Sequence, residues 1–409
     1  MYTSTLYVGI DVSKSKHDVA ILDEGKKLLR RPFVITEDKQ EYEKLLEIIG
    51  NEQHKTQASR VVIGMEATAD YWRNLYHFLW ESAAEPGRFQ LVVINPFQSR
   101  AFARAELRRA KTDPVDAKEI ARYLVEKQPR GYQHRQRLLD YIVDLDRQLY
   151  GVKKQKSRTI NRLRHELFKV APEIEREKRY LDRGQILALL EVFSTAEQID
   201  QATFSQLKAI TYGKHAWHLP DNFIHRMKSL SRHSIGYKRG VGADRVIQSL
   251  VRQVQNDNRE IETLKAQLLE LYATIRQEDS ILTSIGHFSK SNAVALEACL
   301  GDVRRFPNKK AIVAFYGMNP IIEESGSSRK RRSRLQKKGN GYVRYKLYMA
   351  VLSMIRRKKE PIYSYYTRLV ANGKPKMVAI GACMRKLLII IYQILKNNIP
   401  FDENYAKKN

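Results

Sequence analysis

Cysteine is nearly absent: the 409 residues contain two, Cys299 and Cys383. Two thiols in apolar helical surroundings suggest neither a disulfide framework nor a cysteine-based metal site. Histidine is sparse and scattered. His215 and His218 lie close together, but no acid or cysteine cluster accompanies them, so a zinc site is not expected. Long apolar runs are missing as well. The most apolar stretch, LLIIIYQIL at 387–395, falls far short of the ~20 residues that span a bilayer. It continues a helical pattern and predicts a buried core helix. The opening MYTSTLYVGIDVS lacks a basic region followed by an apolar one, so no signal peptide is expected and a cytoplasmic location is. Acid is the last shortage: 45 Asp+Glu stand against 73 Lys+Arg, a net charge of +28. Such an excess calls for a polyanionic partner. With no membrane partner expected from the apolar pattern, that partner is nucleic acid.

Hydrophobic residues make up 43% of the chain, which excludes wholesale disorder, and the length allows two or three domains. Residues 5–21, TLYVGIDVSKSKHDVAI, predict two strands joined by a tight turn at Ser13–Ser15. KLLRRPFVI (27–35) predicts a third strand and KQEYEKLLEII (39–49) a helix. SRVVIGMEAT (59–68) and FQLVVINP (89–96) have the short apolar runs of buried parallel strands, with helical DYWRNLYHFLWES between them. Hairpin strands followed by alternation with helices predict an α/β domain over residues 1–128.

Apolar residues then recur at Leu138, Ile142, Leu145, Leu149 and Val152, skip at Lys156, and resume at Ile160, Leu163, Leu167 and Val170. A second heptad run, Ile247 to Leu282, is interrupted at Asp257 and Glu278. The pair predicts an antiparallel coiled-coil arm or a dimerising one, within a helical region 129–280 that also holds an inserted, basic helical segment. Residues 281–409 form a third, helical domain. It holds 26 Lys+Arg and 7 Asp+Glu, a net of +19, and so carries most of the charge excess. Its most basic part interleaves tyrosines at Tyr342, Tyr345, Tyr348, Tyr363, Tyr365 and Tyr366.

Four acids are candidates for chemistry. Asp11 ends a run of β-formers, and an acid there is costly to bury unless paired or bound to a cation; it reads equally as the start of the turn. Glu66 ends a buried strand, where α/β sheets gather their ligands, or it caps the helix that follows. Asp113 and Asp116, in AKTDPVDAKEIARYL (110–124), lie three apart and therefore on one helical face. They suit metal binding and equally suit a helix start with Asp-Pro at its N-terminus. Together the four acids form the oxygen-rich set that one or two Mg²⁺ ions take, with Mn²⁺ as the substitute, and two such ions stabilise both oxygens of a phosphodiester exchange.

A second candidate site is EESGSSRKRRSR at 323–334. Ser325, Ser327 and Ser328 precede a dense basic run, where guanidinium groups would stabilise charge during serine attack on a phosphodiester. Composition alone reads it first as a flexible loop with solvated charge. The cations expected on phosphate are Arg329, Lys330, Arg331, Arg332, Arg334, Lys337, Lys338 and Arg344. An actin-like ATPase is disfavoured because the hairpin turn is Ser-Lys-Ser-Lys and lacks the usual glycine. A non-catalytic nucleic-acid scaffold would leave the acids without a role.

GIDVSKSKHDVAILD, GMEATADYW, VVINPFQSRAFARA and KTDPVDAKEIARYL, in this order, resemble the DEDD-type transposases of bridge-RNA-guided insertion sequences, whose relatives include the Piv-type DNA invertases. GDVRRFPNKKAIVAFYGMNP, SGSSRKRRSRLQKKGNGYVRYKLYMA and GKPKMVAIGACMRKLLIIIYQIL resemble the second domain of that family, so the likeness covers nearly the whole chain. The resemblance implies a fold of class α/β plus α: an RNase H-like, RuvC-type first domain, a coiled-coil arm and a helical transposase domain. It implies metal ligands at Asp11, Glu66, Asp113 and Asp116, and a nucleophilic serine before a glycine, which falls on Ser325. The implied partners are donor and target DNA, a structured guide RNA, and further copies of the chain as a dimer or tetramer. The other enzymatic reading is a RuvC-like, structure-specific nuclease that uses the same acids with water as nucleophile.

Overall fold

The computed structural model describes residues 4–82, 89–105, 113–129, 131, 137–176, 181–236, 242–286, 288–321, 334–335 and 339–402. The chain divides into two compact units, Met1–Arg135 and Gln136–Asn409.

The first unit is built on a five-stranded sheet. Its elements are β1 (Thr5–Val12), β2 (Lys16–Leu22), β3 (Phe33–Thr36), helix α1 (Lys39–Thr56), β4 (Arg60–Glu66), α2 (Trp72–Ser82), β5 (Phe89–Ile94), α3 (Pro96–Ala105) and α4 (Asp113–Lys127). The strand order is β3-β2-β1-β4-β5. β1, β2 and β3 run antiparallel in sequence, whereas β1, β4 and β5 are parallel. The third strand is shorter than the sequence predicts: Leu28 makes only a single bridge, to Leu22, and pairing resumes at Phe33. Pro32, with no N–H to donate, interrupts the ladder between them.

Alternation along β1 and β4 sends two side-chain sets to opposite faces. Leu6, Val8, Ile10, Val61, Ile63 and Met65 form one core with Tyr42, Leu45 and Ile49 of α1 and Leu75, Tyr76 and Leu79 of α2. Burying each such side chain contributes about 1.5–3 kcal/mol, so this layer holds the sheet rigid. Helix α1 starts where the Asp38 carboxylate accepts the Glu41 N–H at 3.0 Å. On the other face Tyr7, Val62, Val92 and Ile94 pack against Phe102 of α3 and against Ile120, Tyr123 and Leu124 of α4.

The second unit is helical. Two 34-residue helices, α5 (Arg137–Val170) and α11 (Gly242–Ile275), pack against each other along their length. Ile142 meets the level of Leu268 and Tyr272, Leu149 that of Ile261 and Leu264, and Leu163 and Leu167 that of Ile247 and Leu250, so the pair is antiparallel within one chain. The skip at Lys156 falls at the level of Asp257, one of the two interruptions of the second run: the neighbouring Gln155 Nε2 donates to Asp257 Oδ1 at 3.2 Å. A polar layer there disfavours slipped registers, which would bury Asp257 against leucine. The segment between the long helices forms a small domain of α6 (Pro172–Glu175), α7 (Gly184–Val192), α8 (Ala196–Gln201), α9 (Phe204–Lys208), the two-residue strands β6 (Thr211–Tyr212) and β7 (Trp217–His218), and α10 (Asp221–Arg232). Its core, from Ile174 through Leu187, Leu190 and Ile224, closes on the far ends of α5 and α11.

At the other end lie α12 (Lys290–Leu300), α13 (Lys309–Phe315), the short strands β8 (Pro320–Ile321) and β9 (Arg334–Leu335), α14 (Gly341–Arg356), α15 (Ile362–Ala371) and α16 (Lys376–Asn397). The apolar run noted in the sequence sits inside α16. At 22 residues this helix is long and apolar enough to cross a membrane, but Cys383, Leu387, Leu388, Ile391 and Tyr392 are buried in the core it shares with α14 and α12. Burial pushes the Cys383 thiol up to about 11, as suits a packing residue. Cys299 is likewise buried.

Candidate active site

The two parallel strands β1 and β4 pair with Ile10 opposite Met65, and the next residue in each is an acid: Asp11, one short of the end of β1 at Val12, and Glu66, the last residue of β4. Asp11 and Glu66 are therefore lateral neighbours at the carboxyl ends of adjacent strands. Both share the parity of Tyr7, Gly9, Val62 and Gly64, the face covered by α4. Helix α4 runs back along β1: the Lys26–Glu126 ion pair (2.7 Å) ties its last turn to the end of the sheet where β2 finishes. Its first turn, with Asp113 and Asp116, consequently lies at the end where Asp11 sits. Asp11, Glu66 and Asp116 are each half-buried. Asp113 is the first residue of α4, and its side chain lies outside the described residues.

Gly9 makes this approach feasible. A Cβ added there would meet Ala117 O and Ala121 N at 2.3 Å each. Both are backbone atoms of α4 and cannot rotate away. Gly64 also faces α4, but its Cβ would meet only the Leu124 side chain at 2.7–3.0 Å, which can move. Gly9→Ala is expected to destabilise the chain by about 2 kcal/mol: overpacking costs about 1–3 kcal/mol, and the better strand propensity of alanine returns only about 0.5–1 kcal/mol. Gly64→Ala should cost less. Thermal unfolding of the two variants checks the order; equal midpoints would show that α4 does not press on β1.

Sequence reasoning missed two neighbours. Ser99 of α3 donates to Glu66 Oε2 at 2.7 Å and holds that carboxylate toward α3. Asp18 pairs in register with Asp11 across the hairpin, on the same face, and is 5% exposed. The Ser13–Lys16 turn carries the signal for the second, because a tight turn there forces position 11 opposite 18. Glu66 does not cap the next helix, which begins only at Trp72. His17, on the opposite face, is fully buried and bonded to Glu37 at 2.6 Å, so it takes no part in this cluster. Among the described residues no three His, Cys, Asp or Glu side chains are already drawn together as a metal site. The hard carboxylate oxygens of Asp11, Glu66 and Asp116 nevertheless suit a divalent cation, and Asp113 stands on the same helix turn.

The basic site lies in the second unit. Pro320–Ile321 pair with Arg334–Leu335 and close the loop 322–333. Ser325, Ser327, Ser328, Arg329, Lys330, Arg331 and Arg332 fall in that loop, outside the described residues, as do Lys337 and Lys338; the Arg334 side chain is also outside them. Where the chain re-enters the fold, Gly339 adopts φ +105°, and a Cβ there would strike Phe315 O at 2.2 Å. Arg344 bridges this junction, with Nη1 donating to Tyr316 O at 3.2 Å and to Gly339 O at 3.0 Å. Part of its donor capacity thus ties the start of α14 to the end of α13.

A family model described as a transposase, of the DEDD type of IS110 elements, matches residues 8–172. A second, described as transposase of the IS116/IS110/IS902 family, matches residues 279–367. The chain is 23% identical over 401 residues to a pilin gene-inverting protein of Moraxella bovis, covering 98% of each, and equally to that of Moraxella lacunata. It is 31% identical over 121 residues to the mini-circle putative transposase for IS117 of Streptomyces coelicolor, 29% of this chain and 27% of that one. DEDD-type transposases depend on a divalent metal ion, and the acids at the carboxyl ends of β1 and β4 and in the first turn of α4 are where this chain offers hard oxygen ligands. The chain belongs to the IS110-type transposases and recombinases, enzymes that act on DNA.

Proposed function

We propose that the chain excises and inserts a mobile DNA element, with Asp11, Glu66, Asp113 and Asp116 as metal ligands and Ser325 as nucleophile. The register-matched positions of Asp11 and Glu66, on the sheet face that α4 packs against, carry this reading. The order β3-β2-β1-β4-β5, with an antiparallel first half, supports an RNase H-like, RuvC-type first domain. Mg²⁺, or Mn²⁺ in its place, held by these carboxylates supplies charge stabilisation at the attacking and leaving oxygens of the phosphodiester. The Ser325 Oγ–phosphorus bond forms as one phosphorus–oxygen bond to deoxyribose breaks; the serine proton passes to water and the freed sugar oxygen is protonated. The covalent link keeps the phosphodiester activated for rejoining. The arginines and lysines of 329–338 and Arg344 hold the flanking phosphates. Two or four copies bring donor and target DNA together, and a structured guide RNA selects both by base pairing.

RNA recovered with the purified chain tests the guide. A structured transcript from a flank of the gene should be enriched over total RNA in the sequenced fraction, and no enrichment of any flank transcript would remove the guide RNA from the reading.

A further inference from the structure

Tyrosines are interleaved with Arg344 and Lys346 at the start of α14, and Tyr342, Tyr345 and Lys346 close, with α5, a cavity to which the reaction above assigns no role. Its volume is about 270 Å³, at the small end of ligand pockets, which run from about 300 to 1,000 Å³. Its walls include Tyr150, Lys153, Asn292, Tyr342, Tyr345 and Lys346. Three aromatic rings cluster there: Tyr150 and Tyr345 lie 4.7 Å apart between centroids, and Tyr342 and Tyr345 6.4 Å apart at an interplanar angle of 25°.

Asp146, 2% exposed, fixes one side. It accepts the Tyr342 hydroxyl at 2.7 Å and the Lys346 ammonium at 2.6 Å. Burial, and then that carboxylate, push the Tyr342 phenol far above its ordinary value, so it remains a neutral donor. The Lys153 ammonium, unlike that of Lys346, makes no ion pair or hydrogen bond among the described residues. Partial removal of its ammonium from water, and then the charges of Lys346 and Lys265, lower its pKa. The site therefore combines aromatic faces, a cation with no direct ion-pair partner beside a second cation, and the amide of Asn292. Stacking surfaces with a cation alongside fit a planar heterocycle joined to an anion. A base within a duplex has both faces covered, so only one out of the stack can enter.

We propose that this cavity takes an unstacked nucleobase of a single-stranded nucleic acid, with Tyr150 and Tyr345 against its face and Lys153 on the adjoining phosphate. The inference rests on the reading of the chain as a nucleic-acid-recombining enzyme and adds a seat for one extruded or unpaired nucleotide.

Fluorescence anisotropy on the full chain tests it with three probes: a short single-stranded DNA, the same sequence as RNA, and the blunt DNA duplex. Tyr150→Ala and Tyr345→Ala should each weaken single-strand binding about tenfold, with duplex binding unchanged. Tyr345→Phe should bind like wild type. Lys153→Ala should reduce the salt slope for the single strand by about 0.7. The arm with the larger loss identifies DNA or RNA as the source. Equal losses on duplex and single strand, or none on either single strand, overturn the proposal. Should an alanine variant fail to fold, photocrosslinking of the wild-type chain to thiouridine- or iodouracil-substituted strands replaces it: crosslinks at Tyr150 or Tyr345 support the seat, and crosslinks only elsewhere overturn it. Wild-type chain that binds none of the three probes would instead refute the nucleic-acid reading itself.

Discussion

Asp11→Asn is expected to lower recombination of a plasmid carrying the element ends by roughly three orders of magnitude, with DNA binding retained. Asparagine keeps the size and one oxygen of aspartate but loses the charge that holds a divalent cation, and several kcal/mol of charge stabilisation convert to about that factor. Asp11 occupies a strand end, one residue beyond the Ile10–Met65 pair, so the substitution leaves the hydrophobic layers of the sheet untouched. It also removes one of two like charges that face each other across the hairpin, Asp18 being the other, and thermal unfolding reads the net effect on stability. A rise in stability with a collapse in activity would mark a site residue. Gel-shift binding and recombination assays on one preparation separate the two effects. Recombination within tenfold of wild type would remove Asp11 from the metal ligands.

Ser325→Ala is expected to abolish both recombination and any covalent protein–DNA product on a nicked suicide substrate. The hydroxyl is the only atom lost, and a route that passes through a phosphoserine ester has no substitute for it. The comparison with Asp11→Asn separates two enzymes that share the same acids. If water is the nucleophile, Ser325→Ala still cleaves and only the acid variants fail. Ser327→Ala and Ser328→Ala belong in the same experiment, because all three serines fall in the twelve residues of sequence between β8 and β9. Loss of the covalent product in one of those two, with Ser325→Ala intact, would move the nucleophile along the loop.

Much of this molecule was legible from side-chain pattern. The tight turn at Ser13–Ser15, the two apolar strands that carry acids near their ends and the first heptad run appear where periodicity puts them, because burial of one face imposes a period on the residues that form it. The second heptad run forms α11 only as far as Ile275, and Leu282, the last residue of that run, lies in a separate 3-10 turn. The third strand was overextended because apolar content in KLLRRPFVI outweighed the missing N–H of Pro32. The reach of the apolar C-terminal helix was underestimated because its flanks, KMVAIGACMRK, are helical without being continuously apolar.

The sequence by itself determined which atoms are available: hard oxygens at Asp11, Glu66, Asp113 and Asp116, hydroxyls and guanidinium groups in one loop, and an excess of cations for a polyanion. Tertiary structure decided which of them meet. Strand register makes Asp11 and Glu66 neighbours although 55 positions separate them in the chain, and hairpin register adds Asp18. The absent Cβ of Gly9 lets α4 approach β1 closely at Ala117 and Ala121. In the helical unit, tyrosines that looked like interleaving within a basic run are sorted by helix face, and Tyr342 and Tyr345 join Tyr150 from almost two hundred residues earlier to line a cavity. Composition is a property of the chain taken one residue at a time. Proximity depends on register and close packing, which are set only when distant segments bury their faces against one another.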